Sequence, residues 1–348
     1  MSSILYIDYL GHRGHNNFNK IYINAFDKDV DVKYVLRKGI RLQLGIPREK
    51  MLWEIPNNLF SAGKVLHIVF KIIMLCYIKF FLKVRKYDHV VVSCYETISL
   101  FFVPFPKGTY IINHNNISQL SQKIRRYCFV KMAKRYINIV FDRHSKEYLN
   151  SMGVKNVIIS PHGIIDPYKA TANESNTNDK YNLVVFSPSY ASMNEQLFEA
   201  MLNSEELSKF LENNNILLRI KYNKLIDTKT KNLEIINGYM SKDEYVSSFL
   251  NADIILVLYS SSFVYRSSGV LFEAIANGKK ILASNIKAFK EYEDFLKDDI
   301  KYCDSVESLI QGIDYFLSTK NNPISYTVDD HCRPSWNLIF RGIDNCLV

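Results

Sequence analysis

The sequence predicts an α/β protein made of two Rossmann-like, doubly wound domains facing a cleft. Short β-branched apolar runs alternate with stretches of helical periodicity, the pattern of strand, crossover helix and strand in a parallel sheet. One polar, aperiodic segment interrupts that alternation near mid-chain, after which it restarts. The length, 348 residues, suits two domains of roughly 100 to 200 residues each.

In the first half the expected strands are Ile4 to Tyr9, Val30 to Leu36, His89 to Cys94, Thr109 to Asn113, Ile137 to Phe141 and Val157 to Ser160. Each is short, apolar and bounded by turn residues, with helical patterns between most of them. Right-handed crossovers then make a parallel sheet. The stretch DPYKATANESNTNDK is small, polar and without period, and marks a linker over 164–180. It follows a domain over 1–163 and precedes one over 181–330.

Past the linker, strands are expected at Leu183 to Phe186, Ile216 to Ile220, Leu233 to Ile236, Ile254 to Tyr259 and Lys280 to Ala283. Helices are expected near Asn194 to Asn213, Ser241 to Ala252, Gly269 to Asn277 and Val306 to Ser318. In the tail, 331–348, Trp336, Leu338, Ile339, Ile343 and Leu347 recur at amphipathic helical spacing, so this segment is expected to dock back on a domain. No repeat of 20 to 50 residues is visible, against a solenoid.

Apolar residues make up 47% of the chain and charged residues 23%, which argues against both a disordered chain and a polytopic membrane protein. Cys76, Cys94, Cys128, Cys303, Cys332 and Cys346 form no CxxC pair and no cluster with histidine. A disulfide scaffold and a structural zinc site are therefore not expected. The N-terminal MSSILYIDYLG has no signal-peptide pattern, so a cytoplasmic protein is expected.

Charge is divided unevenly. Residues 1–163 hold 25 Lys and Arg against 10 Asp and Glu, a net of +15, whereas 164–348 hold 19 against 25, a net of −6. The first half is expected to meet an anionic partner, nucleic acid or the inner leaflet of the cell membrane. Lys64 to Lys86 carries six basic and no acidic residues among Val, Leu, Ile, Phe, Met and Tyr, and on a helical wheel its lysines gather on one side. A helix lying in the membrane interface with lysines toward headgroups and a crossover helix with lysines in water both fit. Spanning would bury Lys71 and Lys79 in hydrocarbon. KIRRYCFVKMAKR, 123–135, is a second acid-free stretch.

Candidate site residues follow from what strand ends and helix N-termini offer. Gly11, His12, His15 and Asn16 lie where the first strand turns into a helix, a place that suits a polar ligand. Later, a strand leads through a small-residue loop into a helix at Gly269. The amides of Ser268, Gly269 and Val270, with Ser267 in the loop and Arg266 as charge partner, suit a diphosphate. Glu273 could accept hydrogen bonds from ribose hydroxyls. His114, Asn115 and Asn116 end another strand and could meet sugar hydroxyls, while Glu96 either lines the same region or caps its helix.

The stretch FEAIANGKKILAS, with NADIILVLYSSS before it, NGYMSKDEYVSSFLNAD with Gly238 at its turn, and IISPHGI with Pro161, His162 and Gly163, resembles the GT-B glycosyltransferases, in particular retaining glycosyltransferase family 4. The resemblance covers the chain in architecture and is specific in the C-terminal third. It implies a nucleotide-sugar donor, UDP- or GDP-linked, held in the C-terminal domain. It further implies transfer with retention, no bound metal or other cofactor, and a saccharide or lipid-linked saccharide acceptor on the basic N-terminal side. His114 and Glu273 are the implied catalytic residues.

Two departures stand out. Tyr265 occupies the position of the first glutamate of the family's paired motif, and Ser187 to Asn194 lacks the family's Arg and Lys. Arg219, Lys221 and Lys224 at a neighbouring strand end could replace those cations. The departures keep open a non-catalytic nucleotide-binding partner, beside a sugar-nucleotide epimerase. Nucleic-acid binding ranks lower, since no RNA- or DNA-binding pattern is present.

Overall fold

The structure is a computed structural model that describes residues 2–11, 15–56, 64–169, 180–189, 192–328 and 332–345. The chain divides into two compact units. The first comprises Met1–Gly163, Tyr265–Ser267 and Asp330–Leu347, and the second Ile164–Val264 and Ser268–Asp329. Most of the expected linker, 170–179, lies outside the described residues.

Unit 1 begins β1 (Ser3–Asp8), α1 (His15–Asn24), β2 (Asp31–Arg37), α2 (Ile40–Gln43), β3 (Met51–Ile55), α3 (Lys64–Phe81) and β4 (His89–Cys94). It continues α4 (Thr97–Phe102), β5 (Tyr110–Ile112), α5 (Lys123–Ala133), β6 (Ile137–Val140), α6 (Arg143–Ser151) and β7 (Val157–Ile159). Every strand pair is parallel, in the order β3-β2-β1-β4-β5-β6-β7. The order reverses between β1 and β4, the switch point where such sheets open a crevice at their carboxyl ends.

Both sheet faces are covered, which is why the strands are apolar runs rather than alternating. On one face, Leu5, Ile7, Val92 and Ile111 pack with Leu75 and Ile78 of α3, Leu100 of α4 and Phe129 of α5. On the other, Ile4, Tyr6, Val91 and Ile112 pack with Phe18 and Tyr22 of α1.

Unit 2 runs β8 (Leu183–Ser187), α7 (Glu195–Leu202), α8 (Glu205–Asn213), β9 (Ile216–Tyr222), β10 (Leu233–Asn237), α9 (Lys242–Leu250) and β11 (Ile254–Val257). It closes with α10 (Gly269–Ala276), β12 (Lys280–Ser284), α11 (Lys287–Lys290), α12 (Glu293–Leu296), β13 (Ile300–Cys303) and α13 (Val306–Ser318). Its parallel sheet has the order β10-β9-β8-β11-β12-β13, with the switch point between β8 and β11, where Ile254 pairs with Val185.

Four expectations are corrected. Strands β3 and β13 were not foreseen. The helix expected over Asn194 to Asn213 is two, because Ser204 caps a new start by accepting from the Leu207 amide. The tail helix α14 (Trp336–Phe340) is short, ending ahead of Gly342 at φ 71. It still docks on unit 1, where Trp336 Nε1 donates to the Tyr22 carbonyl at 2.7 Å and its ring stacks on Phe26 at 4.6 Å. Finally, the lysines of α3 do not share a solvent face. Lys71 is buried, and burial lowers its pKa, while Val69, Ile73, Tyr77, Phe80 and Phe81 are exposed.

Candidate functional site

At the unit 2 switch point the loops after β8 and β11 are laced together. The Ser260 amide donates to the Ser192 carbonyl at 2.8 Å, the Asn194 amide to the Leu258 carbonyl at 3.2 Å, and Met193 bridges to Tyr259. Ser284, ending β12, accepts from the Tyr259 amide at 2.8 Å. The Ser187 hydroxyl, at the end of β8, is buried with no hydrogen-bond partner among the described residues, a condition that a polar ligand would relieve.

Helix α10 starts at this edge because Ser268 caps it. Its hydroxyl accepts from the Leu271 amide at 3.2 Å and donates to Tyr259 Oη at 3.1 Å. A cap at this position engages only one of the first amides, and the first helical N–H groups have no intrahelical acceptor. Gly269 opens the helix, and no described heavy atom lies within 4 Å of where a Cβ would stand. The amides of Gly269 and Val270 lie in the first turn of this helix, where the aligned peptide dipoles favour an anion.

Glu273, in the next turn, is held by two phenols from elsewhere in the unit. Tyr245 of α9 donates to Oε2 at 2.5 Å, and Tyr168 also hydrogen-bonds the carboxylate. Tyr168 is itself fixed, its amide donating to Asn277 Oδ1 at 2.8 Å. Burial raises the Glu273 pKa above the ordinary carboxylate value, and the two O–H donors pull it partly back. Lys221, in β9, places its ammonium 6.0 Å from the centre of the Tyr245 ring. The result is a carboxylate acceptor, a helix N-terminus and a cation within one unit.

The other expected residues of the C-terminal region divide. Lys224 is exposed beyond β9, and Gly238 forms an exposed turn at φ 84. Arg219 does not serve as a free phosphate partner, because Glu234 holds it at 2.9 Å and Ser248 at 3.3 Å. Arg266 and Ser267 fall in unit 1, where Arg266 Nε donates to Ser118 Oγ at 3.1 Å and the Ser267 hydroxyl is buried with no described hydrogen-bond partner. Beside them, Tyr265 stacks on His144 at 4.8 Å and on Tyr148 at 4.4 Å.

In unit 1, His114 follows β5 and is half-buried. Its ring meets Phe18 edge-on at 4.0 Å and lies 5.1 Å from Phe141 and 6.1 Å from the ring of His162, which follows β7. His162 is a second imidazole of this cluster, read in the sequence only as part of a turn. Gly11 is tied to the buried Asp8, its amide donating to Oδ1 at 2.8 Å. Its φ of +45 favours glycine, and a Cβ there would stand 2.7 Å from side-chain atoms of Arg37 and Ile40, which would have to shift.

Asn16 hydrogen-bonds Gln43. His12 and the side chain of His15 lie outside the described residues. Asn115 is exposed, its carbonyl accepting from Ser118. Hydrogen bonds account for the last two side chains, and for Glu96 they match the capping alternative. Asn116 is buried and donates to the Tyr95 carbonyl at 3.1 Å and to Thr97 at 3.3 Å, so its side chain braces the loop. Glu96 caps α4, accepting from the amides of Ile98 at 3.1 Å and Ser99 at 2.7 Å.

No protein-family model and no curated protein matches the sequence. Solved structures do match the architecture. UDP-GlcNAc 2-epimerase from Neisseria meningitidis, solved with UDP-GlcNAc, is similar over 98% of this chain and 99% of its own, at 13% identity and a TM-score of 0.57. Anabaena Alr3699/HepE, solved with UDP and glucose, is similar over 93% of this chain and 92% of its own, at 14% identity and a TM-score of 0.61. Sucrose-phosphate synthase from Thermosynechococcus elongatus is similar over 92% of this chain and 91% of its own, at 12% identity and a TM-score of 0.60. The fold is of the GT-B type.

Within that GT-B fold, sequence reasoning reached Ser268, Gly269 and Glu273 through a local strand, loop and helix signature. It missed Tyr168, Tyr245, Tyr259 and Ser187. Tyr168 sits at the start of the stretch read as linker, and no local pattern announces that its ring reaches Glu273.

Proposed function

We propose that the protein is a glycosyltransferase that moves a sugar from a UDP- or GDP-linked donor to a polysaccharide or lipid-linked saccharide acceptor. The observation that carries this reading is Glu273, half-buried and hydrogen-bonded by Tyr168 and Tyr245, one turn inside the helix that starts at Gly269. Ribose hydroxyls would donate to the carboxylate, and the donor diphosphate would take the amides of Gly269 and Val270. Lys221 and Arg266 are the cations nearest in role to the missing Arg and Lys.

In the reaction, the bond between the anomeric carbon and the diphosphate oxygen breaks and the acceptor hydroxyl oxygen bonds to that carbon. The acceptor's proton passes to the departing diphosphate. Retention is proposed through attack on the face that the leaving group vacates, since Tyr265 cannot serve as the carboxylate nucleophile of a double displacement. His114 would hydrogen-bond the transferred sugar and steady the oxocarbenium-like centre.

A second reading, epimerisation of the nucleotide sugar, is favoured by the likeness to a UDP-GlcNAc 2-epimerase. Incubation with UDP- and GDP-sugars, with and without saccharide acceptors, separates the readings. Transfer needs the acceptor and releases nucleoside diphosphate, whereas epimerisation changes the sugar without one. Nucleotide binding without either product would point to a non-catalytic partner.

A further inference from the structure

Helices α3, α4 and α5 lie in one layer over the same face of the unit 1 sheet, where Leu75, Ile78, Leu100 and Phe129 seal the core. Their opposite side is also apolar. Ile73, Phe80 and Phe81 of α3, Phe102 of α4, and Ile124 and Tyr127 of α5 are each at least 59% exposed. The helices adjoin, for the charge of Lys71 in α3 feels both Glu96 at the head of α4 and Arg125 in α5, and Phe101 meets Tyr127 at 6.3 Å between ring centres. A helix that is apolar all round is ordinarily covered on every side, and large exposed apolar patches mark interaction surfaces.

The rim of this patch is cationic. Between Glu54 and Asp142 the chain has 13 Lys and Arg and only two acidic residues, Asp88 and Glu96. Lys83, Arg85 and Lys86 are exposed just past α3, and Lys123, Arg126 and Lys131 on α5. The ammonium groups of Lys79 and Lys131 lie 5.1 and 5.9 Å from the ring centres of Phe80 and Tyr127, so cations stand directly beside the exposed aromatic side chains.

We propose that the outer face of α3, α4 and α5 docks on an anionic lipid bilayer, its apolar side chains entering the acyl boundary and its Lys and Arg meeting headgroup phosphates. A bilayer surface satisfies both halves of the pattern. A two-fold dimer through the same patch would bring like charges together, and a polyanion such as nucleic acid would leave the Phe and Ile side chains in water. Among the described residues no helix is long and apolar enough to cross a membrane, so the face lies on the bilayer. The lysine that meets headgroups is not Lys71, which is buried, but the set around α3's end and α5.

The test is co-sedimentation of the full chain with vesicles of phosphatidylcholine alone or with phosphatidylglycerol added. Binding is expected only with the anionic lipid, weakening at least tenfold from low to high salt. The double variant Phe80→Ser with Phe81→Ser, and separately Lys83→Glu with Arg85→Glu, should each lose binding at least tenfold. These positions are exposed, and an unchanged melting temperature in each variant shows that the fold persists. No binding to anionic vesicles, or binding indifferent to both variants, overturns the proposal. A dimer in light scattering that the Ser variant dissociates overturns it in favour of a second copy. Sugar transfer is read separately, so failure of vesicle binding and failure of the transferase reading are distinguishable.

Discussion

Tyr245 Oη lies 2.5 Å from Glu273 Oε2 and donates to it, so a phenol from α9 sets the orientation and the acidity of the carboxylate on α10. Burial pushes the Glu273 pKa up, and the Tyr245 and Tyr168 donors oppose that push. Tyr245→Phe removes one donor and nothing else of the ring. Glu273 then takes up its proton at higher pH, and nucleotide affinity, measured by titration across pH, should collapse at higher pH in the variant than in the parent. Near pH 8 the two should converge. Superimposable pH curves would deny Tyr245 its positioning role.

Glu273→Gln separates function from stability. A carboxyl group whose folded pKa stands above its unfolded value contributes most to stability below the unfolded value, and that contribution is lost as pH rises through the folded value. The neutral amide carries no such loss. The variant should therefore melt above the parent at pH 8, with the gap shrinking on acidification toward the ordinary carboxylate range, although its nucleotide affinity is impaired. A variant that melts lower at pH 8 would contradict the assignment of a desolvated carboxylate.

Ser268→Ala tests the helix end. It deletes the cap of α10 and the contact with Tyr259, and loss of such a cap costs about 1 kcal/mol. The urea midpoint of unit 2 should fall accordingly, and nucleotide affinity with it. Ser268→Asp, which restores the capping oxygen but places a negative charge beside the proposed diphosphate, should recover the midpoint and not the affinity.

His114→Ala should lower sugar transfer roughly 100-fold, by analogy with the loss of one preorganised donor, and leave the thermal shift given by free nucleotide unchanged. His162→Ala, in the same aromatic cluster, provides the comparison. Full transfer by the His114 variant would return that histidine to a packing role beside Phe18 and Phe141.

Much of the fold was legible because buried parallel strands are unbroken β-branched runs, as in HVVVSC of β4 and LVVFS of β8. The two strands that escaped, β3 (MLWEI) and β13 (IKYC), are edge strands with half-exposed residues, and a charge within each dilutes the apolar signal. The break between α7 and α8 was available in Ser204-Glu205-Glu206, a serine cap with acidic first-turn residues. The orientation of α3 was not. The wheel gathers the lysines on one side, which reads as the solvent side, yet Lys71 is buried and Ile73, Phe80 and Phe81 are exposed.

The candidate site was legible where its signals are local. Ser268, Gly269 and Glu273 follow one another on a single loop and helix, whereas their partners Tyr168 and Tyr245 come from distant segments that only the fold assembles. Glu96 and Asn116 resemble site residues in sequence because polar groups at strand ends serve equally as caps and braces. Only their hydrogen bonds distinguish the two.

The most direct measurement is calorimetric titration of the full chain with UDP and with GDP, repeated on Glu273→Gln. One of the two nucleotides should bind the parent, and the variant should bind it about 1.5 to 3 kcal/mol more weakly, the worth of hydrogen bonds to a charged group. Binding of neither nucleotide, or equal binding by parent and variant, would contradict the assignment of this helix end and Glu273 as the donor site.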